Sequence, residues 1–181
     1  MEKIKRDSPE FIITIDNFLS ENDNKIITDV FLSNHSLRWT DDDMNTVNAK
    51  KDLVSSKILN EVNKHFNLSA MVGYETWARW NNSIPDWHYD VDEHLWQHEK
   101  VMNTPICSVV YYSVIKDLVG GEFVTETHTI KPKQNMLLIF GPKIYHKVNQ
   151  YTGERMGIAF NPWSYKPNEY NIDSKRTRDI F

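Results

Sequence analysis

The chain has 181 residues, and its 21 Lys and Arg against 25 Asp and Glu give a net charge of −4. That length suits one domain, and the balance of charge argues against a broad cationic face for nucleic acid. Mean hydropathy is −0.57 and no apolar run approaches the roughly 20 residues of a membrane span, so a soluble, non-membrane chain is expected.

The six glycines form neither G-x-G-x-x-G nor G-x4-G-K-[ST], which removes dinucleotide and P-loop nucleotide binding. The charged N-terminus MEKIKRDSPE has no apolar region behind it and does not read as a secretory signal. A single cysteine, Cys107, allows no internal disulfide, so a reducing, cytoplasmic setting is expected.

In chain order, Glu10 to Leu19 (EFIITIDNFL) opens as a β-branched run and reads as a strand. Ser20 with Asp23 three residues on resembles a capping box, and Ile26, Ile27, Val30 and Phe31 recur at helical spacing to about Ser33. Asn34 to Lys51, with Asp41, Asp42 and Asp43, reads as a polar loop. Asp52 to Phe66 reads as a second helix with Leu53, Ile58, Leu59, Val62 and Phe66 as its apolar stripe. Beyond Asn67 short β-rich runs alternate with turn signals. Strands are predicted near 70–80, 85–91, 106–114, 121–130, 136–140, 143–149 and 155–161. Such a series suggests a sandwich or barrel with the two helices covering one sheet. Asp92 to Thr104 is read as a loop or short helix, and the polar tail from 164 to 181 as ordered only in part.

The sharpest local feature is Trp87-His88-Tyr89-Asp90. Residues i and i+2 of a strand share a face, so His88 and Asp90 present an imidazole and a carboxylate side by side. His146, on the β-like run Lys143 to Val148, completes a set of two histidines and one carboxylate. That facial set leaves metal positions open and is diagnostic of non-haem Fe(II) oxygenases, although the same ligands also bind zinc.

Arg155 follows nine residues after His146. With Asn149 to Gly153 as a hairpin turn, it would stand opposite His146 and reach across the same cavity. A guanidinium grips a carboxylate through two parallel hydrogen bonds. His94 and His98, spaced i, i+4, are read as part of a polar lid rather than a second metal site. His35, His65 and His128 read as ordinary positions, and Cys107 as a small buried hydrophobe. Trp87, Tyr89 and Trp96 flank the site, as groove lining or as core.

These residues together resemble the Fe(II)/2-oxoglutarate-dependent dioxygenases, and most closely their prolyl 4-hydroxylase-like branch. The resemblance runs from about Phe11 to Trp163. It rests on FIITIDNFLSENDNKII, ARWNNSIPDWHYD, SVVYYSV followed by GGEFVTET, IKPKQNMLLIFGPKIYHKV and TGERMGIAFNPW, in that order.

The resemblance implies a mainly β fold, a double-stranded β-helix (jelly-roll, cupin-like) with two N-terminal helices packed on one sheet. It divides a single domain, 1–181, into helical support at about 20–66, a β-helix core at about 69–163 and the tail. It implies that His88, Asp90 and His146 bind Fe(II), and that Arg155 holds the distal carboxylate of 2-oxoglutarate. Tyr112 matches a position that touches the co-substrate, though only one of Tyr111 and Tyr112 can point inward.

Two positions depart from the pattern. Trp80 stands where a co-substrate-contacting tyrosine is common, and Asn135 where a glycine often precedes the apolar strand. Asn tolerates left-handed backbone angles better than most residues. The implied reaction consumes O2 and 2-oxoglutarate, forms succinate and CO2, and hydroxylates an unactivated C–H bond. With Asp90 present, halogenation is disfavoured. A prolyl residue in a peptide or protein leads as substrate, with a free amino acid or other small molecule next. A non-catalytic metal- or ligand-binding β-helix domain is the competing class. Specificity would then come from Asn34–Lys51 and Asp92–Thr104.

Overall fold

Alternation of side chains sets the layers. In β7 (Met136–Phe140) all five residues are buried, so both faces of the strand are covered. Leu137 and Ile139 point into one core, while Met136, Leu138 and Phe140 point into another. This is a computed structural model, and it describes residues 11–33, 38–80 and 84–170. The expectations for the charged N-terminus, for His35 and for the end of the tail fall outside these residues.

The elements run β1 (Ile12–Ile15), α1 (Glu21–Ser33), β2 (Arg38–Thr40), α2 (Met44–Ala49), α3 (Val54–Val62), β3 (Gly73–Trp80), α4 (Glu93–Glu99), β4 (Ser108–Gly120), β5 (Phe123–Val124), β6 (Thr129–Ile130), β7, β8 (Lys147–Val148) and β9 (Tyr151–Trp163), with a 3₁₀ turn at Asn168–Tyr170. The large sheet has the order β1-β7-β4-β9-β3-β2 and the small one β6-β5-β8. All described pairings are antiparallel. Two antiparallel sheets with helices on the outer face of one match the expected jelly-roll class.

The outer core lies between the large sheet and the helices. Ile27 and Phe31 of α1 and Ile58, Leu59 and Val62 of α3 pack there with Val109, Tyr111, Ile158 and Phe160. The Ser20–Asp23 box forms as expected: Asp23 N donates to Ser20 Oγ at 3.1 Å and Ser20 Oγ donates to Asp23 Oδ2 at 2.8 Å. Lys57 Nζ then bonds both Asp23 oxygens, at 2.9 and 2.8 Å, and ties α3 to α1.

Several elements differ from the sequence expectation. The polar loop over 34–51 instead holds β2 and α2. Asp43 caps α2 by accepting from Thr46 N at 2.8 Å, and Val47, 1% exposed, gives that short helix an anchor. The strand expected near 85–91 is reduced to one bridge, His88 with His146. The run 121–130 splits into β5 and β6 around a turn held by Thr125 Oγ1, which accepts from His128 N at 3.0 Å. The tail is fastened as far as it is described. Asp92, fully buried, caps α4 by accepting from Leu95 N, and its Oδ2 accepts from Tyr165 Oη and Asn168 N, each at 3.1 Å. No helix among the described residues is long and apolar enough to cross a membrane.

Asn135 sits at φ 59°, a left-handed angle. Its amide also fastens the chain entering α1: Oδ1 accepts from Leu19 N and Tyr111 Oη, each at 2.8 Å, and Nδ2 donates to Leu19 O at 2.8 Å. An alanine there would keep the strain and lose these bonds. Asn135→Ala is expected to cost on the order of 2–4 kcal/mol in chemical denaturation. Asn135→Gly, which relieves only the backbone, should recover part of that loss.

Candidate metal centre

His88 and His146 meet through a reciprocal backbone pair: His88 N donates to His146 O at 2.9 Å and His146 N donates to His88 O at 3.0 Å. Their rings lie 4.2 Å apart between centroids. The Nδ1 atom of His88 lies 2.7 Å from Asp86 O, and that of His146 lies 2.9 Å from Ile144 O. A carbonyl oxygen only accepts, so both Nδ1 atoms carry the proton and both Nε2 atoms present a lone pair. Orienting a ligating imidazole through its second nitrogen is the usual arrangement around a metal.

Asp90 follows two residues after His88, with Oδ1 3.8 Å from His88 Nε2. One donor atom from each of His88, Asp90 and His146 lies within 4.8 Å of the others, and no other such group of three occurs among the described residues. This donor set suits a divalent transition ion with open positions.

Burial disfavours the Asp90 carboxylate. The nearby His146 and His88, a hydrogen bond with Ser108 and the charge of Arg79 outweigh it and hold the pKa below the ordinary value. Asp90 is therefore ionised at neutral pH. Burial pushes His146 the other way, down to about 4, which keeps the imidazole neutral and able to ligate.

The cavity beside the triad is walled by both sheets. Phe123 and Val148 line it from the small sheet, and Trp77, Val110, Phe140, Ala159 and Asn161 from the large one. Arg155, 3% exposed, enters the same cavity and lies 5.1 Å over the Tyr112 ring. Tyr112 is fully buried. Its hydroxyl has no hydrogen-bond partner of good geometry although it lies near that guanidinium, and burial raises its pKa.

The strand register thus selects Tyr112 for the cavity. Tyr111 faces the outer core, where its hydroxyl lies 2.6 Å from Asn24 Oδ1. Gly157 is also inward-facing. A Cβ there would sit 3.2 Å from Val110 Cγ1, 3.7 Å from Arg155 Nη1 and 3.8 Å from Tyr112 Cε1, so a side chain would crowd all three.

Two expectations need correction. The hairpin joining His146 to Arg155 does not form. β8 pairs with β5, while β9 pairs with β4 and β3, so the chain crosses between sheets at Asn149 and Gln150. Gly121 N donates to Gln150 O at 3.2 Å and Asn149 N to Glu122 O at 2.9 Å, which holds the crossing in place. Arg155 is in register with Ile115, and meets His146 across the cavity rather than along a hairpin.

Trp80 does not line the cavity. It packs against the outer core on the same face of β3 as Ala78, while Trp77 and Arg79 face inward. Trp87 and Tyr89 turn away from His88 and both pack on Tyr145, at 5.1 and 4.7 Å, bracing the ligand segment from behind. His94 and His98 stack at 4.3 Å on α4. Sequence spacing missed Arg79, Ser108, Gly157 and Asn161. For Gly157 and Asn161 the signal was available, since both share the parity of Arg155 on β9.

No protein-family model matches the chain, and no curated protein matches its sequence. Solved structures do align. A truncated viral collagen prolyl hydroxylase from Paramecium Bursaria Chlorella virus-1 gives a TM-score of 0.61 at 15% identity, covering 92% of this chain and 99% of that one. A Pseudomonas putida prolyl-4-hydroxylase gives 0.57 at 12%, covering 84% of each. An oxidoreductase of the 2OG-Fe(II) oxygenase family from Burkholderia pseudomallei gives 0.56 at 13%, covering 86% of this chain and 85% of that one. The chain has the fold of these oxygenase structures, prolyl hydroxylases among them.

The depressed His146 pKa has a measurable consequence in the metal-free protein. Between pH 6.5 and about 4 an unfolded histidine takes up a proton that folded His146 does not. Stability should fall as the pH is lowered through that window, by up to about 1.4 kcal/mol per pH unit from this group. Denaturation curves of wild type and His146→Gln should show the flatter profile in the variant.

Proposed function

We propose that this protein is an Fe(II)- and 2-oxoglutarate-dependent dioxygenase that hydroxylates an unactivated C–H bond, with a prolyl residue in a peptide or protein as the leading substrate. The observation that carries the reading is the triad and the buried Arg155 lining one cavity. A zinc hydrolase with the same ligands makes no use of that arginine.

His88 and His146 through Nε2, and Asp90 through a carboxylate oxygen, would hold the metal and leave adjoining positions open. Iron bound there with 2-oxoglutarate supplies the oxidation: one atom of O2 enters succinate as CO2 is lost, and the other enters the substrate C–H bond. The remaining chemistry belongs to the chain. Arg155 is fixed by burial and by the ring of Tyr112, so its fork is oriented before a carboxylate arrives. The Tyr112 hydroxyl points to the same place and can donate to that carboxylate. Gly157 leaves the room the dicarboxylate chain needs. Phe123, Phe140, Val110 and Ala159 make the wall apolar and exclude water from the reacting carbon.

The test is anaerobic addition of Fe(II) and 2-oxoglutarate, then oxygen, with succinate measured in the presence and absence of prolyl peptides. Succinate formation is expected, and its absence under all conditions would refute the reading. His146→Ala should abolish succinate formation by removing a ligand. Arg155→Ala should retain metal binding but raise the 2-oxoglutarate requirement on the order of 10- to 100-fold, the worth of a charge-assisted pair. An unchanged requirement would place the co-substrate elsewhere.

A further inference from the structure

Arg79 stands in the cavity without a part in the scheme above. Among the described lining residues Asp90 is the one carboxylate, and Arg79 and Arg155 are the two guanidiniums. The register of β3 on β9 sets Arg79 opposite Gly157, and that of β4 on β9 sets Tyr112 opposite Gly157 from the other side. Arg79, Gly157 and Tyr112 thus form one inward-facing row across three strands. Its centre is Gly157, where a Cβ would lie 3.2 Å from Val110 Cγ1 and 3.7 Å from Arg155 Nη1.

Charge favours a second anion here. A divalent ion, Asp90 and Arg155 sum to two positive charges, which doubly charged 2-oxoglutarate balances. Arg79 adds a third positive charge to the same partly enclosed space. Burial lowers its pKa, Asp90 supports its charge and Arg155 opposes it, and all three line the same cavity. Two guanidiniums that share one cavity repel each other, and anionic groups beside them offset that repulsion.

We propose that Arg79 is a second carboxylate-binding position, distinct from that of Arg155, so that the loaded cavity engages one carboxylate at each guanidinium. This rests on the oxygenase reading. The carboxylate has two possible sources, the 2-oxoglutarate carboxylate beside the keto group or a carboxylate carried by the substrate.

Calorimetry on the full chain loaded with Mn(II), without oxygen, tests this with no turnover required. The first arm compares 2-oxoglutarate with 4-oxopentanoate, which keeps the keto group and distal carboxylate but lacks the other. The second arm adds acetate to the Mn(II)–2-oxoglutarate complex, with chloride at equal ionic strength as control, and follows the melting temperature.

If the co-substrate is the source, Arg79→Gln should weaken 2-oxoglutarate by at least about 10-fold and leave 4-oxopentanoate unchanged. If the substrate is the source, Arg79→Gln should leave both unchanged but abolish an acetate-specific rise in melting temperature seen in wild type. Arg79→Lys, which keeps the charge without the fork, should fall between wild type and Arg79→Gln, and it serves in place of the glutamine variant if that one does not fold. Behaviour like wild type in both arms, or equal weakening of both keto acids, would overturn the proposal. Failure of wild type to bind 2-oxoglutarate at all would instead remove the oxygenase reading, and this inference with it.

Discussion

The site depends on one short contact, the reciprocal backbone pair between His88 and His146. The two histidines are far apart in the chain, and no continuous strand carries the first of them. The bridge nevertheless fixes both backbones, and each ring is then turned by a carbonyl two residues before it. The aromatic stack of Trp87, Tyr89 and Tyr145 braces the bridge from behind. Ring tautomer, ring direction and separation are therefore decided before any metal arrives, which is what a metal site needs for both affinity and geometry.

The large sheet gives this contact a rigid partner. β4, β7 and β9 each feed two environments, an apolar core under the helices and a mixed interior between the sheets. Period-two alternation means that each inward residue has outward neighbours anchored among α1 and α3. Arg155 lies between Glu154 and Met156, and Met156 is fully buried in the outer core. The guanidinium is thus held by its strand as well as by the Tyr112 ring. The same alternation explains why Tyr111 and Tyr112, adjacent in sequence, serve fold and site respectively.

Much of this was legible in the sequence, for physical reasons that also mark where it stopped. The triad could be read because His88 and Asp90 are local and strand parity puts them together. The helices could be read from apolar spacing and the Ser20–Asp23 box. The left-handed angle at Asn135 followed from the side chain's tolerance for it. The hairpin before Arg155 could not be excluded locally, because Asn149 to Gly153 suits a tight turn and a crossing between sheets equally well. Long-range bonds from Gly121 and Glu122 decide it. Trp80 and Arg79 were exchanged because neighbouring residues on a strand differ only in facing, which the register of β3 on β9 sets. The polar stretch before Asp52 hid α2 because its one apolar anchor, Val47, makes no pattern alone.

The buried carboxylate of Asp92 joins parts of the molecule that share no sheet. It caps α4 and accepts from two groups of the segment that follows β9, and its backbone N donates to Asn103 O at 2.8 Å, closing the loop it begins. It also lies two residues from Asp90 of the candidate triad. The helix α4 and the segment after β9 therefore belong to one cooperative unit: opening either means breaking the same cluster of bonds. Amide exchange in α4 and around Asn168 should report a single opening free energy. A partner gripping the segment after β9 would then be felt at α4, in the chain just beyond Asp90, without touching it.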